Sequence, residues 1–381
     1  MSSYAVSIRR QLHMYPEIGY DLPRTLTLVR QELDAMGISY TEQYGKSSIV
    51  AVLNEEKSRF TIGIRADMDA LPITEKNDVE YKSKIKGQMH ACGHDVHTAI
   101  LLGTIKALNS IKDSIDCRVK FIFQPAEEYE IPGAMLMAND GVMDDVDVIV
   151  ACHVDAIFDV GTVAVDAGMQ TANSMGFSVE MFGKSSHAAF QYRGVDAIAM
   201  CVKAYTAIEL MVAKELPPKE VCVLNIGSFN GGKTNNVVAD YCRMYGTLRT
   251  FNMEINSYIF KRITGISQAV AKESGGNCKV SKVKFLPSLI NDEKVSQKVR
   301  LAAEKVVGKD KIFSKPCSTG GEDFSYFAQL KPGIIFRLGI KNKDKGIISA
   351  VHMDTFDVDE SCIDIGINIF KQFVIDNCKG I

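Results

Sequence analysis

Three short apolar runs constrain the fold most: Phe60-Thr61-Ile62-Gly63-Ile64-Arg65, Arg118-Val119-Lys120-Phe121-Ile122-Phe123 and Val146-Asp147-Val148-Ile149-Val150-Ala151. Each has the length and β-branched content of a buried strand, and helical patterns separate them. Strands that alternate with helices pair in parallel, because a parallel connection needs a long crossover. An α/β sheet follows. Ligand-type side chains come after every run: Asp67 and Asp69, then Glu127 and Glu128, then His153 and Asp155. In open α/β sheets the ligand crevice lies beyond the carboxyl ends of the strands, so this placement gathers those side chains at one site.

The stretch His90-Ala91-Cys92-Gly93-His94-Asp95, with His97 just beyond, packs a thiol and imidazoles into one turn ahead of an apolar helical pattern. A thiolate and an imidazole two residues apart suit a soft or borderline metal. The spacing fits no zinc finger, and a helix N-terminus with packed histidines is the competing reading. Seven histidines occur in the chain; His90, His94, His97, His153 and His187 fall in its first half and His352 near its end.

With 381 residues, 46% of them hydrophobic and 24% charged, the chain has room for more than one domain. A formal net charge of -2 and no basic run interleaved with aromatics argue against nucleic acid and against an anionic membrane surface. The first residues lack a signal-peptide core and no later stretch is apolar enough to span a bilayer, so a cytoplasmic location is expected. Ten cysteines without a CxxC pair read as reduced, mostly buried side chains.

Residues 4–36 carry one helical period and stop at Gly37, which predicts a helix followed by a strand. From about Thr171 a long alternating strand, a helix, two further strand patterns and another helix form a self-contained α+β insertion. The expected boundaries are 1–170 for the first part of the main domain, 171–282 for the insertion and 283–381 for the remainder.

Taken together, Arg65-Ala66-Asp67-Met68-Asp69-Ala70-Leu71-Pro72, Met89-His90-Ala91-Cys92-Gly93-His94-Asp95, Phe123-Gln124-Pro125-Ala126-Glu127-Glu128, Gly183-Lys184-Ser185-Ser186-His187-Ala188-Ala189 and Gly320-Gly321-Glu322-Asp323-Phe324 closely resemble the aminoacylase and carboxypeptidase family of two-metal peptidases, peptidase family M20. The nearest likeness is to its amidohydrolase branch, which includes hippurate hydrolases, N-acyl-amino-acid deacylases, N-acetyl-diaminopimelate deacetylases and plant hydrolases of auxin conjugates. The resemblance runs from Arg10-Gln11-Leu12-His13 to Glu360.

It implies a di-metal catalytic domain with a mixed, mostly parallel sheet and a smaller inserted α+β lid domain that forms a homodimer. It further implies two divalent ions (Mn, Zn, Ni or Co) held by Cys92, His94, Glu128, His153 and His352. Such a pair acidifies a water for attack on an amide carbonyl. On the same resemblance Glu127 is the general base, and Asp69 belongs to the catalytic group as the residue that orients a ligand. His187 reaches the partner subunit's site to stabilise the oxyanion. Asn236 and Arg249 hold the substrate carboxylate, and Gly320 and Gly321 let the backbone approach it. The implied substrate is a small N-acyl amino acid. His13, His90 and His97 read as structural.

The chain departs from the family pattern at Tyr129-Glu130-Ile131-Pro132-Gly133, where a glycine-rich turn is usual, and at Phe190 and Ala239, where proline is usual. Glu130 and Asp155 place extra acid near the pocket, which predicts a preference for polar or cationic substrates. Two alternatives remain at this point: a Cys92 nucleophile activated by His94, and a metal-dependent binding module without turnover.

Overall fold

The computed structural model describes residues 2–57 and 59–381. Its contacts divide the chain into two compact units, one of residues 1–170, 290–316 and 323–381, the other of residues 171–289 and 317–322.

The first unit is built on an eight-stranded mixed sheet, ordered Tyr40–Thr41, Ile49–Leu53, Arg118–Gln124, Thr61–Asp67, Val148–Asp159, Gly333–Lys341, Val163–Ala164, Ile312–Phe313. The four central strands, Arg118–Gln124 through Gly333–Lys341, run parallel, and antiparallel strands flank them. Burial on both faces explains their continuous apolar runs: Thr61–Asp67 has no exposed position. Helices Ser2–Met14, His94–Asn109, Glu293–Val307 and Ser361–Asn377 belong to this unit, and a single apolar core joins them to the sheet. Between Arg118–Gln124 and Val148–Asp159 lies the short helix Gly133–Asn139. Among the described residues no helix is long and apolar enough to cross a membrane.

The helical period over residues 4–36 resolves into two helices, Ser2–Met14 and Pro23–Met36, rather than one. Pro16 cannot continue a helix, and the Glu17 carboxylate accepts from the backbone N–H groups of Arg24 and Thr25 to start the second. Gly37 ends it in the left-handed conformation, φ 65°.

The second unit is an antiparallel four-stranded sheet, ordered Asn277–Leu286, Asn173–Phe182, Tyr241–Thr250, Cys222–Gly231, covered by helices Ala197–Glu215 and Met253–Glu273. Asp196 and Asn252 cap these helices with side-chain oxygens. Strand Cys222–Gly231 is a sheet edge with alternating exposure.

Candidate metal centre and catalytic site

Within the first unit, a buried network ties the strand ends beneath the site. The Arg65 guanidinium donates to Gln124 Oε1 at 2.7 Å, Asp67 Oδ2 at 2.6 Å and Asp323 Oδ1 at 2.8 Å, and all four side chains are buried. Four buried polar groups are tolerated because each partner satisfies another. The turn that carries Cys92 depends on Gly93, which has φ 84° and precedes helix His94–Asn109. A Cβ there would lie 2.3 Å from Val154 Cγ2. The backbone at Cys92 is thereby pressed against the strand that bears His153.

Both central histidines have their tautomer fixed. His94 Nδ1 lies 2.8 Å from the Asp69 carbonyl and His153 Nδ1 lies 2.7 Å from the Val154 carbonyl, so each donates from Nδ1 and Nε2 is the nitrogen left for a metal. Burial opposes the charged form of His94, yet Asp67 and Cys92 raise its pKa, so a cation there would take the place of a proton. His153 Nε2 lies 3.5 Å from Cys92 Sγ. His94 Nε2 is buried without a hydrogen-bond partner. The backbone N–H of His352 donates to the Ala91 carbonyl at 2.7 Å, and its Nε2 sits 2.8 Å from Glu128 Oε1. Ligating atoms of Cys92, His94 and His153 form one tight group, those of Cys92, Glu128 and His352 a second, and those of His94, Glu127 and Glu128 a third. The first two groups share the Cys92 sulfur.

The Asp69 carboxylate accepts from the backbone N–H of Glu127 at 2.9 Å and of Glu128 at 3.1 Å. It therefore sets the position of both acidic residues. Ala126, just before them, and His352 take positive φ values of 57° and 66°, conformations that cost energy outside glycine and concentrate at functional sites.

A further group, Asp67, His94 and His97, is close enough for a metal, but the lone pairs of Asp67 and His97 are in use. His97 donates from Nδ1 to Asp67 Oδ1 at 2.6 Å and accepts at Nε2 from the Val154 N–H at 2.9 Å, while Arg65 holds the other oxygen of Asp67. His97 is a brace between two strands. His13 bridges Asp95 and Glu75, a structural placement. His90 is buried with neither ring nitrogen hydrogen-bonded to the protein.

The donor set fits a divalent cation. Burial pushes the Cys92 thiol well above its ordinary value, against the pull of His94, so the sulfur becomes a ligand only when a cation replaces its proton. That burial also disfavours a free thiolate nucleophile. Burial opposes ionisation of Glu128, yet the hydrogen bond from His352 and the nearby His94 hold its carboxyl below the usual range. The unpartnered His94 Nε2, aimed among sulfur and carboxylate donors, is an orphan that a metal would satisfy.

In the second unit, His187 is exposed and its Nδ1 accepts from the Ala189 N–H at 3.1 Å, which leaves the proton on Nε2. Backbone bonds from Ala188 to Asn236 and from Val238 to Ser186 bring the His187 and Asn236 loops together. Arg249 donates to the Thr319 carbonyl at 2.7 Å, beside Gly320. Leu286 and Ser174 fill the space where a Gly321 side chain would go, so packing within this unit requires that glycine. Asp155 is not the free acid read from sequence, because Lys315 pairs with it. Arg337 is a cation in the middle of the apolar strand Gly333–Lys341, and a charge interrupting such a run is its signal in sequence.

A buried thiol, imidazoles and carboxylates gathered at the carboxyl ends of a mixed, mostly parallel sheet define a metal-binding hydrolase. Residues 63–376 match the family model of peptidase family M20/M25/M40, and the chain belongs to that family. It is 32% identical over 369 residues to thermostable carboxypeptidase 1 of Saccharolobus solfataricus, covering 96% of this chain and 93% of the relative. It is 34% identical over 358 residues to N-acetyl-L-cysteine deacetylase of Bacillus subtilis, covering 94% and 84%. A solved dinuclear metal-binding peptidase of the family, also from B. subtilis, superposes with a TM-score of 0.84 at 27% identity, covering 100% of this chain and 99% of that one. The protein is thus a hydrolase of linear amide or peptide bonds.

Proposed function

We propose that this chain is a two-metal amidohydrolase that cleaves the amide of small N-acyl amino acids, with N-acetyl, N-benzoyl and N-acetyl-diaminopimelate conjugates as its substrate range. The observation that carries the reading is the Cys92 sulfur shared by two ligand groups, with His94 and His153 both turned to offer Nε2. Cys92, His94, Glu128, His153 and His352 hold the two ions. When bound, the pair polarises the scissile carbonyl and acidifies the attacking water. Glu127 takes the proton of that water and returns it to the leaving amine. Asp69 fixes where Glu127 does so.

His187 acts from the partner subunit: with its proton on Nε2 it is a neutral donor suited to a developing oxyanion. Asn236 and Arg249 take the substrate carboxylate, and Gly320 lies beside the Thr319 carbonyl that already orients Arg249. Exposed apolar side chains support the homodimer: Val202, Tyr205 and Leu210 on helix Ala197–Glu215, and Phe229 on the edge strand.

The test is hydrolysis of a panel of N-acetyl, N-benzoyl and indole-acetyl amino acids by protein loaded separately with Mn, Zn, Co or Ni, beside Glu127→Gln. Cleavage that a chelator abolishes, a metal restores and the variant lacks is the expected result. Chelator-resistant, thiol-reagent-sensitive cleavage would overturn it in favour of a Cys92 nucleophile.

A further inference from the structure

A cavity of about 240 Å³ opens beside His153, lined by Val154, Asp155, Ile157, Lys315, Arg337 and Val351 among others. It lies between the strand that supplies one proposed ligand and the loop that supplies another, since Val351 precedes His352. Arg337 and His153 are register partners on adjacent parallel strands, so their side chains leave the same face of the sheet.

The charges in this cavity do not cancel. Asp155 is buried and spent on Lys315, and it also accepts from the Ile157 N–H at 2.9 Å. Arg337 is partly buried and has neither a side-chain hydrogen bond nor an ion pair among the described residues. A guanidinium withdrawn from water without a counter-ion is costly unless a ligand supplies one. Apart from Asp155 and Lys315, the residues that share this cavity with the Arg337 cation are largely apolar, Ile157, Ile348 and Val351 among them. This is the shape and polarity of a subsite for an apolar linker that terminates in a carboxylate.

We propose that Arg337, backed by the Lys315–Asp155 pair, is a specificity residue that binds a second carboxylate of the substrate, one beyond the α-carboxylate. The preferred substrates are then N-acyl amino acids bearing a second acid, either at the end of the acyl group or on the amino-acid side chain. This deepens the amidohydrolase reading and rests on it. It also reverses the expectation that Asp155 would favour cationic substrates.

Two matched pairs distinguish the sources: N-succinyl-alanine against its terminal-amide isostere, and N-acetyl-glutamate against N-acetyl-glutamine. Each is assayed with metal-loaded wild type, Arg337→Met and Arg337→Lys. A charge-assisted bidentate contact predicts an acid-to-amide ratio in kcat/KM of about tenfold or more in one pair. That ratio collapses in Arg337→Met and recovers in part in Arg337→Lys; the pair that shows it locates the acid. Cleavage of both pairs with ratios near one in wild type overturns the subsite and leaves the amidohydrolase reading standing. Should no metal form cleave any of the four while other members of the wider panel are cleaved, the subsite is overturned; should nothing in the panel be cleaved, the amidohydrolase reading fails and calorimetry with succinate on the same proteins decides the subsite. Weaker binding by Arg337→Met supports it, and equal binding overturns it.

Discussion

Replacing Asp69 by asparagine tests how the site holds its two acidic residues. The Asp69 carboxylate accepts from the Glu127 N–H at 2.9 Å and the Glu128 N–H at 3.1 Å, using both oxygens. An asparagine keeps one acceptor and turns an NH₂ toward the other N–H. One charge-assisted bond becomes neutral, and one buried donor is left unsatisfied at about 1–3 kcal/mol, for a total of roughly 2–4 kcal/mol. Two outcomes can share that cost. If the turn keeps its geometry, urea unfolding of the metal-free protein shows the whole loss. If the turn relaxes, Glu127 and Glu128 shift, and kcat/KM falls by roughly 30- to 1,000-fold at about 1.4 kcal/mol per decade, with weaker metal binding by calorimetry. A variant within about twofold of wild type in kcat/KM and metal affinity, and within about 0.5 kcal/mol in stability, would refute the reasoning.

Gly93→Ala places a Cβ 2.3 Å from Val154 Cγ2 at φ 84°. Left-handed strain and overpacking together cost roughly 2–5 kcal/mol, read as a drop in Tm accompanied by loss of metal affinity. His90 is held neutral by burial, its pKa pushed down to about 3, with Asp95, His13, His94 and Arg9 around it. In the unfolded chain the same group takes a proton near pH 6.5, so the unfolded state binds the extra proton between about pH 6.5 and 3. Stability present above that window is therefore lost as pH falls through it, by up to ~1.4 kcal/mol per pH unit from this group. In the metal-free protein His90→Phe flattens the slope in that range, as measured by denaturant unfolding at a series of pH values, and an unchanged slope would count against this assignment.

The central strands and the convergence of ligand-type residues at their ends were legible because burial on both faces leaves an unbroken apolar run. The apolar run before His153 ends at Ala151, whereas the strand continues to Asp159. His153 and Asp155 therefore project from the strand itself and not from a loop behind it. Pairings between positions far apart in sequence were not legible. Lys315 neutralises Asp155 from 160 residues away, and His97 spends its two nitrogens on Asp67 and Val154, 30 and 57 residues distant. Such partners are set by strand order, which local pattern does not encode. Equally silent is the return of residues 317–322 to the second unit. The break in the first helical segment had a visible cause in Pro16, outweighed by a period that continues on both sides of it.

Central to the proposed chemistry is Cys92 as a ligand common to two ions. The most direct measurement is the metal stoichiometry of purified, Mn-loaded protein by inductively coupled plasma mass spectrometry, for wild type and Cys92→Ala. Two equivalents per chain in wild type, with at most one retained by the variant, is the predicted result. A single equivalent in wild type, or two equivalents undiminished in Cys92→Ala, would contradict it.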